Sequence, residues 1–129
     1  MRSDPVTTLV SGELKVVPDE GPSTLRLDWW GRSHERNPGP VLSPWLETVL
    51  QRARIRGQTI ESHFESLDFF NSATVTAVIH LIRKARAQGT TLVIVFNPAR
   101  KWQSLSFDAL KSFELPDGLL QIRPAEALD

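Results

Sequence analysis

Residues able to do chemistry are sparse in this chain, and most stand too far apart to act together. His34, His63 and His80 fall by local pattern in a loop, a strand and a helix, and no two share a short metal-ligand spacing. Glu61, His63 and Glu65 alternate onto one strand face, a set able to approach a divalent ion, but alternating charge on a solvated strand face accounts for them without a metal. Asp68 and His63 are the residues an acid–base enzyme would use here. There is no phosphate-cradling glycine loop, no G-x-S-x-G elbow and no H-E-x-x-H, and cysteine is absent. The chain is therefore read as non-catalytic, with no cofactor and no metal.

One segment is more informative. Leu67-Asp68-Phe69-Phe70 ends an apolar strand, and Asn71-Ser72 follows at once with the chemistry of a helix N-cap, ahead of Ala73, Thr74 and an amphipathic run. That order sets the Ser72 hydroxyl at the positive end of a helix. Arg83, Lys84, Arg86, Arg100 and Lys101, with Trp102 beside them, read as a solvated helix end complementing its dipole. Fifteen basic and fifteen acidic residues give a formal charge of zero, so no long-range field draws the chain to nucleic acid or to an anionic membrane.

The elements that must position Ser72 are legible from periodicity. Short strands are expected at Val6–Val10 and Glu13–Val17, between prolines and glycines. Thr24–Trp30 alternates, with Leu25, Leu27 and Trp29 on one face, so Trp29 and Trp30 point in opposite directions. Leu42, Trp45, Leu46, Val49, Leu50 and Ala53 define a first helix closed by Gly57, and Gln58–Leu67 alternates as another strand. Val75, Val78, Ile79 and Ile82 mark the buried arc of the second helix. Thr91–Phe96 reads as a strand buried on both faces. Trp102, Leu105, Ala109, Leu110 and Phe113 mark a third helix, and Leu119–Ile122 a last strand. With 129 residues, the expectation is one α/β domain over 1–129, a mixed sheet with three main helices packed on it, and loose ends at 1–5 and 124–129. No long apolar run and no leader-like start are present, which points to a cytoplasmic protein without membrane insertion.

Phe69-Phe70-Asn71-Ser72-Ala73-Thr74, the amphipathic helix after it, and the TLVIVF strand together resemble the STAS domain of bacterial anti-sigma-factor antagonists. Leu27 to Asn37 and the Trp45-Leu46 helix are further similar to the SiaC-type biofilm-regulation phosphoproteins, a STAS-like group. The resemblance spans roughly residues 24–97. It implies a STAS-like fold and a signalling switch that binds a partner-switching serine/threonine kinase, a phosphatase and an effector, such as an anti-sigma factor or a signalling enzyme. It also implies that Ser72, directly after the Asn, accepts the phosphate, with Thr74 as the second choice. The alternative is a STAS module that holds a small ligand or lipid, or serves as a structural subunit without phosphorylation.

On this reading, Ala73, Thr76, Ala77, His80 and Lys84 form the outward strip of the second helix, and Asn71, Ala73, Thr76, Ala77 and His80 meet the partner. Phe107 is expected to join them, because a 100° step per residue sets it about 130° from the centre of the third helix's apolar arc. A homodimer is compatible with the same surfaces.

Overall fold

Apolar alternation on the strands and apolar arcs on the helices meet in a single core on one side of a sheet. Among the described residues, 5–125, the order is β1 (Leu9–Ser11), β2 (Leu14–Glu20), β3 (Thr24–Ser33), α1 (Gly39–Arg56), β4 (Thr59–His63), β5 (Leu67–Phe70), α2 (Ser72–Ala87), β6 (Leu92–Phe96), α3 (Lys101–Leu110), a 3-10 turn at Lys111–Phe113, and β7 (Leu120–Pro124). The structure is a computed structural model. The loose ends expected at 1–4 and 126–129 lie outside the described residues, whereas Pro124 closes β7 instead of starting a tail.

The sheet order is β1-β2-β3-β4-β6-β7, with β5 pairing β3. The first three strands form an antiparallel meander; β3, β4, β6 and β7 then run parallel, with α1, α2 and α3 as the crossovers. The strand expected over Gln58–Leu67 ends at His63, and after a turn β5 begins at Leu67. β4 pairs β3 through Leu25↔Ile60, and β5 pairs the far end of β3 through Arg32↔Phe69, after a register shift at Gly31/Arg32. Gly31 makes that shift possible: it sits at φ +81°, where a Cβ would lie 2.0 Å from the Glu13 carbonyl oxygen.

Leu25, Leu27, Trp29, Ile60, Phe64, Leu92, Ile94 and Phe96 carry the sheet's side of the core, and the helices supply Leu42, Val49, Val78, Ile82 and Phe107 among others. Trp29 is fully buried, stacks on Phe64 at 4.7 Å between centroids, and donates its indole N–H to Ser62 Oγ at 2.7 Å. Trp30, beside it, is exposed, as the alternation requires.

Two expectations are corrected. The TLVIVF strand sends Leu92, Ile94 and Phe96 into the core, but Val93 and Val95 face the other side of the sheet, which no described helix covers; neighbouring side chains alone bury Val93. The arc of α2 is also rotated. Thr74, Ala77, Val78, Leu81, Ile82 and Ala85 are buried, while Val75 and Ile79 are half-buried. α1 packs against that flank, with Leu46 and Leu50 facing Ala77 and Leu81 across a small recess, and draws the helix round.

β2 is tied to α1 by an ion pair with a defined pH signature. Arg52, buried on α1, donates from Nε to Glu20 Oε1 at 2.6 Å and from Nη2 to Oε2 at 2.8 Å. This bidentate hydrogen bonding holds the Glu20 carboxyl below its ordinary value, against the opposing effect of burial. A depressed folded-state value contributes stability that is complete above the unfolded carboxyl's range, about pH 4.3, and is lost as the pH falls through the folded value. Glu20→Gln is expected to cost about 1.5–3 kcal/mol at neutral pH and to remove part of the acid dependence. Urea melts at pH 7 and pH 3 check this: an equal cost at both would contradict the assignment.

Candidate functional site

The site is built where β3 and β5 end side by side. Asn71 N–H donates to the Ser33 carbonyl at 3.0 Å, carrying the parallel pairing one residue past Phe70. Asn71 is extended (φ −92°, ψ 176°) and caps α2: its Oδ1 accepts from Thr74 N at 3.0 Å and from Thr74 Oγ1 at 2.8 Å. Its Nδ2 donates to the Glu35 carbonyl at 2.8 Å, which fixes the amide's orientation. Thr74 has one hydroxyl proton and gives it to Asn71, so the 2.7 Å contact between Ser33 Oγ and Thr74 Oγ1 runs with Ser33 as donor. Ser33 and Thr74 are both buried. A chain of three side chains therefore locks the strand end to the helix start.

Ser72, the first residue of α2, is exposed, and its carbonyl accepts Thr76 Oγ1 at 3.1 Å. The helical ladder begins with Val75 N–H on the Asn71 carbonyl, so the N–H groups of Ser72 and Ala73 have no intrahelical acceptor. Neither α1 nor α2 carries an acidic residue in its first turn. The positive end of α2 is thus left without a neighbouring carboxylate on its own turn, an environment suited to an added anion.

Ala73, Thr76, Ala77 and His80 line an open groove of about 330 Å³, whose opposite wall is the start of α1 with Asn37, Pro38, Gly39 and Ser43. Ala77 is buried and forms its floor, while Thr76 and His80 are exposed rims. Ala77, expected on the outward strip, is thus corrected to a buried position, because α1 covers that flank of α2.

Two expected site residues are elsewhere. Phe107 is fully buried, packed among Phe64, Phe70 and Phe96 at centroid distances of 5.0, 5.6 and 5.5 Å, so it offers no surface to a partner. The true arc of α3 is Gln103, Phe107 and Leu110, and Leu105 is the exposed residue. Thr74 is sealed inside the cap, so the folded state presents no phosphoacceptor there. His63 is held between two carboxylates, Nε2 to Glu61 Oε1 at 2.5 Å and Nδ1 to Glu65 Oε1 at 2.8 Å, and is thus engaged within the cluster rather than with Asp68. Asp68 pairs instead with Arg100 at 3.0 Å. The basic cluster is dispersed: Lys84 pairs with Glu47, Arg86 with Asp117, and Arg83 lies over the Phe113 ring.

Ser33 and Glu35 escaped the sequence reading of the site. The only signal was the polar stretch after Gly31, and nothing local says that a strand end and a loop carbonyl meet a helix cap some 36–41 residues away.

An antiparallel meander running into a parallel sheet, with three helices on one face, gives the chain a STAS-like α/β fold. In keeping with this, the chain is similar in structure to a solved anti-sigma factor antagonist, SpoIIAA in its unphosphorylated form: TM-score 0.55, 17% identity, covering 88% of this chain and 89% of that one. No protein-family model matches the chain, and no curated protein matches it significantly. At this identity the likeness is one of fold. No described helix is long and apolar enough to cross a membrane.

Proposed function

We propose that this chain is a non-catalytic partner-switching protein of the anti-sigma-factor-antagonist kind, nearest in pattern to the SiaC-type group, controlled by phosphorylation of Ser72. A kinase and a phosphatase act on that hydroxyl, and an effector docks over the start of α2, against Asn71, Ala73, Thr76 and His80. The observation that carries this reading is the division of labour at the helix start: Asn71 holds the cap while Ser72, next to it, is exposed. A phosphate on Ser72 adds about −1.5 to −2 charge without removing a capping bond, so the fold persists and only the docking surface changes. A docked effector would have to desolvate that dianion, which disfavours the complex. The rival ligand-module reading has less support, because the apolar recess between Leu46, Leu50 and Leu81 holds only about 100 Å³, against about 300–1,000 Å³ for small-molecule sites, and the groove of about 330 Å³ beside it is open to solvent.

The test is the intact mass and phosphopeptide map of the protein purified from its native cell. One phosphate on Ser72 is expected, absent in Ser72→Ala; phosphate confined to Thr76 would refute the assignment. Ser72→Asp is expected to release an effector that co-purifies with Ser72→Ala. It should leave the melting temperature unchanged or slightly raised, because a carboxylate in the first turn contributes about 0.3–1 kcal/mol.

A further inference from the structure

The sheet face away from the helices carries a patch that the Ser72 reading does not use. Val10, Lys15 and Trp30 stand in register across β1, β2 and β3, and Trp30 and Arg32 alternate onto the same face of β3. Arg32 is in register with Phe69 on β5, its guanidinium 5.5 Å from the centre of the Phe69 ring. The two rows lie about 7 Å apart along the strands. Val10 is 66% exposed, Trp30 47% and Phe69 37%, so three of the large apolar side chains left in solvent share one corner. Clustering of this kind marks an interaction surface, whereas scattered exposed apolar residues do not.

Charge says what kind of partner fits. Several carboxylates on these strands are engaged within the chain: Asp28 with Arg26 at 2.9 Å, Glu61 and Glu65 with His63, Glu13 with His34 at 2.5 Å, and Asp68, next to Phe69, with Arg100 at 3.0 Å. Lys15 and Arg32 have no carboxylate partner among the described residues. The corner therefore presents two stackable rings and an aliphatic side chain between two unneutralised cations. Two cations on a chain of zero formal charge are few for a phosphate backbone, whose binding grows with the number of phosphates neutralised.

We propose that this corner of the open sheet face is a second docking surface, one that takes an acidic protein segment with an aromatic or aliphatic anchor. The anchor lies against Trp30 and Phe69, and the carboxylates meet Lys15 and Arg32. The surface is on the side of the sheet opposite α2, so a partner held here leaves the Ser72 groove open.

Fluorescence titration of the full chain tests this with four probes: a labelled peptide alternating Glu with Phe and Leu, the same peptide with Gln for every Glu, oligouridylate, and phosphatidylglycerol vesicles. The acidic peptide is expected to bind best, with the Gln peptide weaker by about tenfold or more, and Trp30→Ser and Arg32→Ser each weakening it by about tenfold. Ser72→Ala is expected to bind as the unaltered chain does, which separates this surface from the switch site. These variants alter exposed side chains, and unchanged thermal melts will show that they fold. Failure of the acidic peptide to bind, equal binding of the Gln peptide, tighter binding of oligouridylate or vesicles, or indifference to Trp30→Ser would each overturn the proposal.

Discussion

Phe107→Ser is expected to destabilise the domain by about 3–5 kcal/mol, a large part of the roughly 5–15 kcal/mol that holds a domain of this size together. Phe107 is fully buried and touches three other rings, so truncation opens a cavity between α3 and the sheet and places a hydroxyl among aromatic carbons. Phe70, one of those rings, immediately precedes the capping Asn71. Slackening at Phe70 should therefore reach the helix start and speed amide exchange at Thr74. Urea denaturation of Phe107→Ser and Phe107→Leu measures the effect, with the Leu variant retaining much of the stability. An unchanged midpoint for the Ser variant would place the ring outside the core.

Gln103→Leu is expected to cost about 3 kcal/mol or more despite being an apolar substitution at a buried site of similar size. Gln103 is fully buried, and its amide joins three backbone groups that come from different parts of the chain. Oε1 accepts from Asn97 N–H at 2.7 Å, and Nε2 donates to the carbonyls of Phe64 at 2.7 Å and Leu67 at 3.0 Å. Leucine leaves the buried Asn97 N–H unpaired, at a cost of about 1–3 kcal/mol, and removes one of two donors from each carbonyl, at about 0.5–1.5 kcal/mol apiece, since Phe64 keeps the Leu67 N–H at 2.9 Å and Leu67 keeps Arg100 Nη1 at 3.3 Å. Gln103→Glu separates geometry from charge: it keeps an acceptor for Asn97 but presents an anion to two carbonyls, so it should be impaired at neutral pH and partly recover in mild acid. Stability of Gln103→Leu within 1 kcal/mol of the parent, about the value of one net hydrogen bond, would contradict this account.

Periodicity was sufficient for most elements of this fold. The alternation of Leu25, Leu27 and Trp29 places β3 and separates Trp29 from Trp30. The arc from Leu42 to Ala53 gives α1, with Gly57 in the left-handed cap at φ 63°. Asn71 and Ser72 are equally local: a residue with a short acceptor side chain, in front of an amphipathic run, can begin a helix by itself, and the exposed hydroxyl next to it follows from the spacing. These features are determined by the sequence because each depends on neighbours within one turn or one strand.

What only the tertiary structure decided depends on contacts between distant segments. Apolar counting on α3 assigned Leu105 to the core and Phe107 to solvent, because the arc's true first member is a polar side chain, Gln103, whose burial is favourable only when Asn97, Phe64 and Leu67 converge on it. α2 turned towards Ala77 and Leu81 because α1 lies on that flank, and helix pattern alone carries no information about which flank is covered. The open sheet face is of the same kind: TLVIVF suits a strand covered twice, yet all three crossover helices lie on one side, and Val93 is covered by neighbouring strands' side chains. Ser33 reaches Thr74, and Glu35 reaches Asn71, through pairing of β3 with β5. Local sequence sets each element's type and its approximate faces; long-range packing sets which face is buried, because that free energy exists only once the elements are in contact.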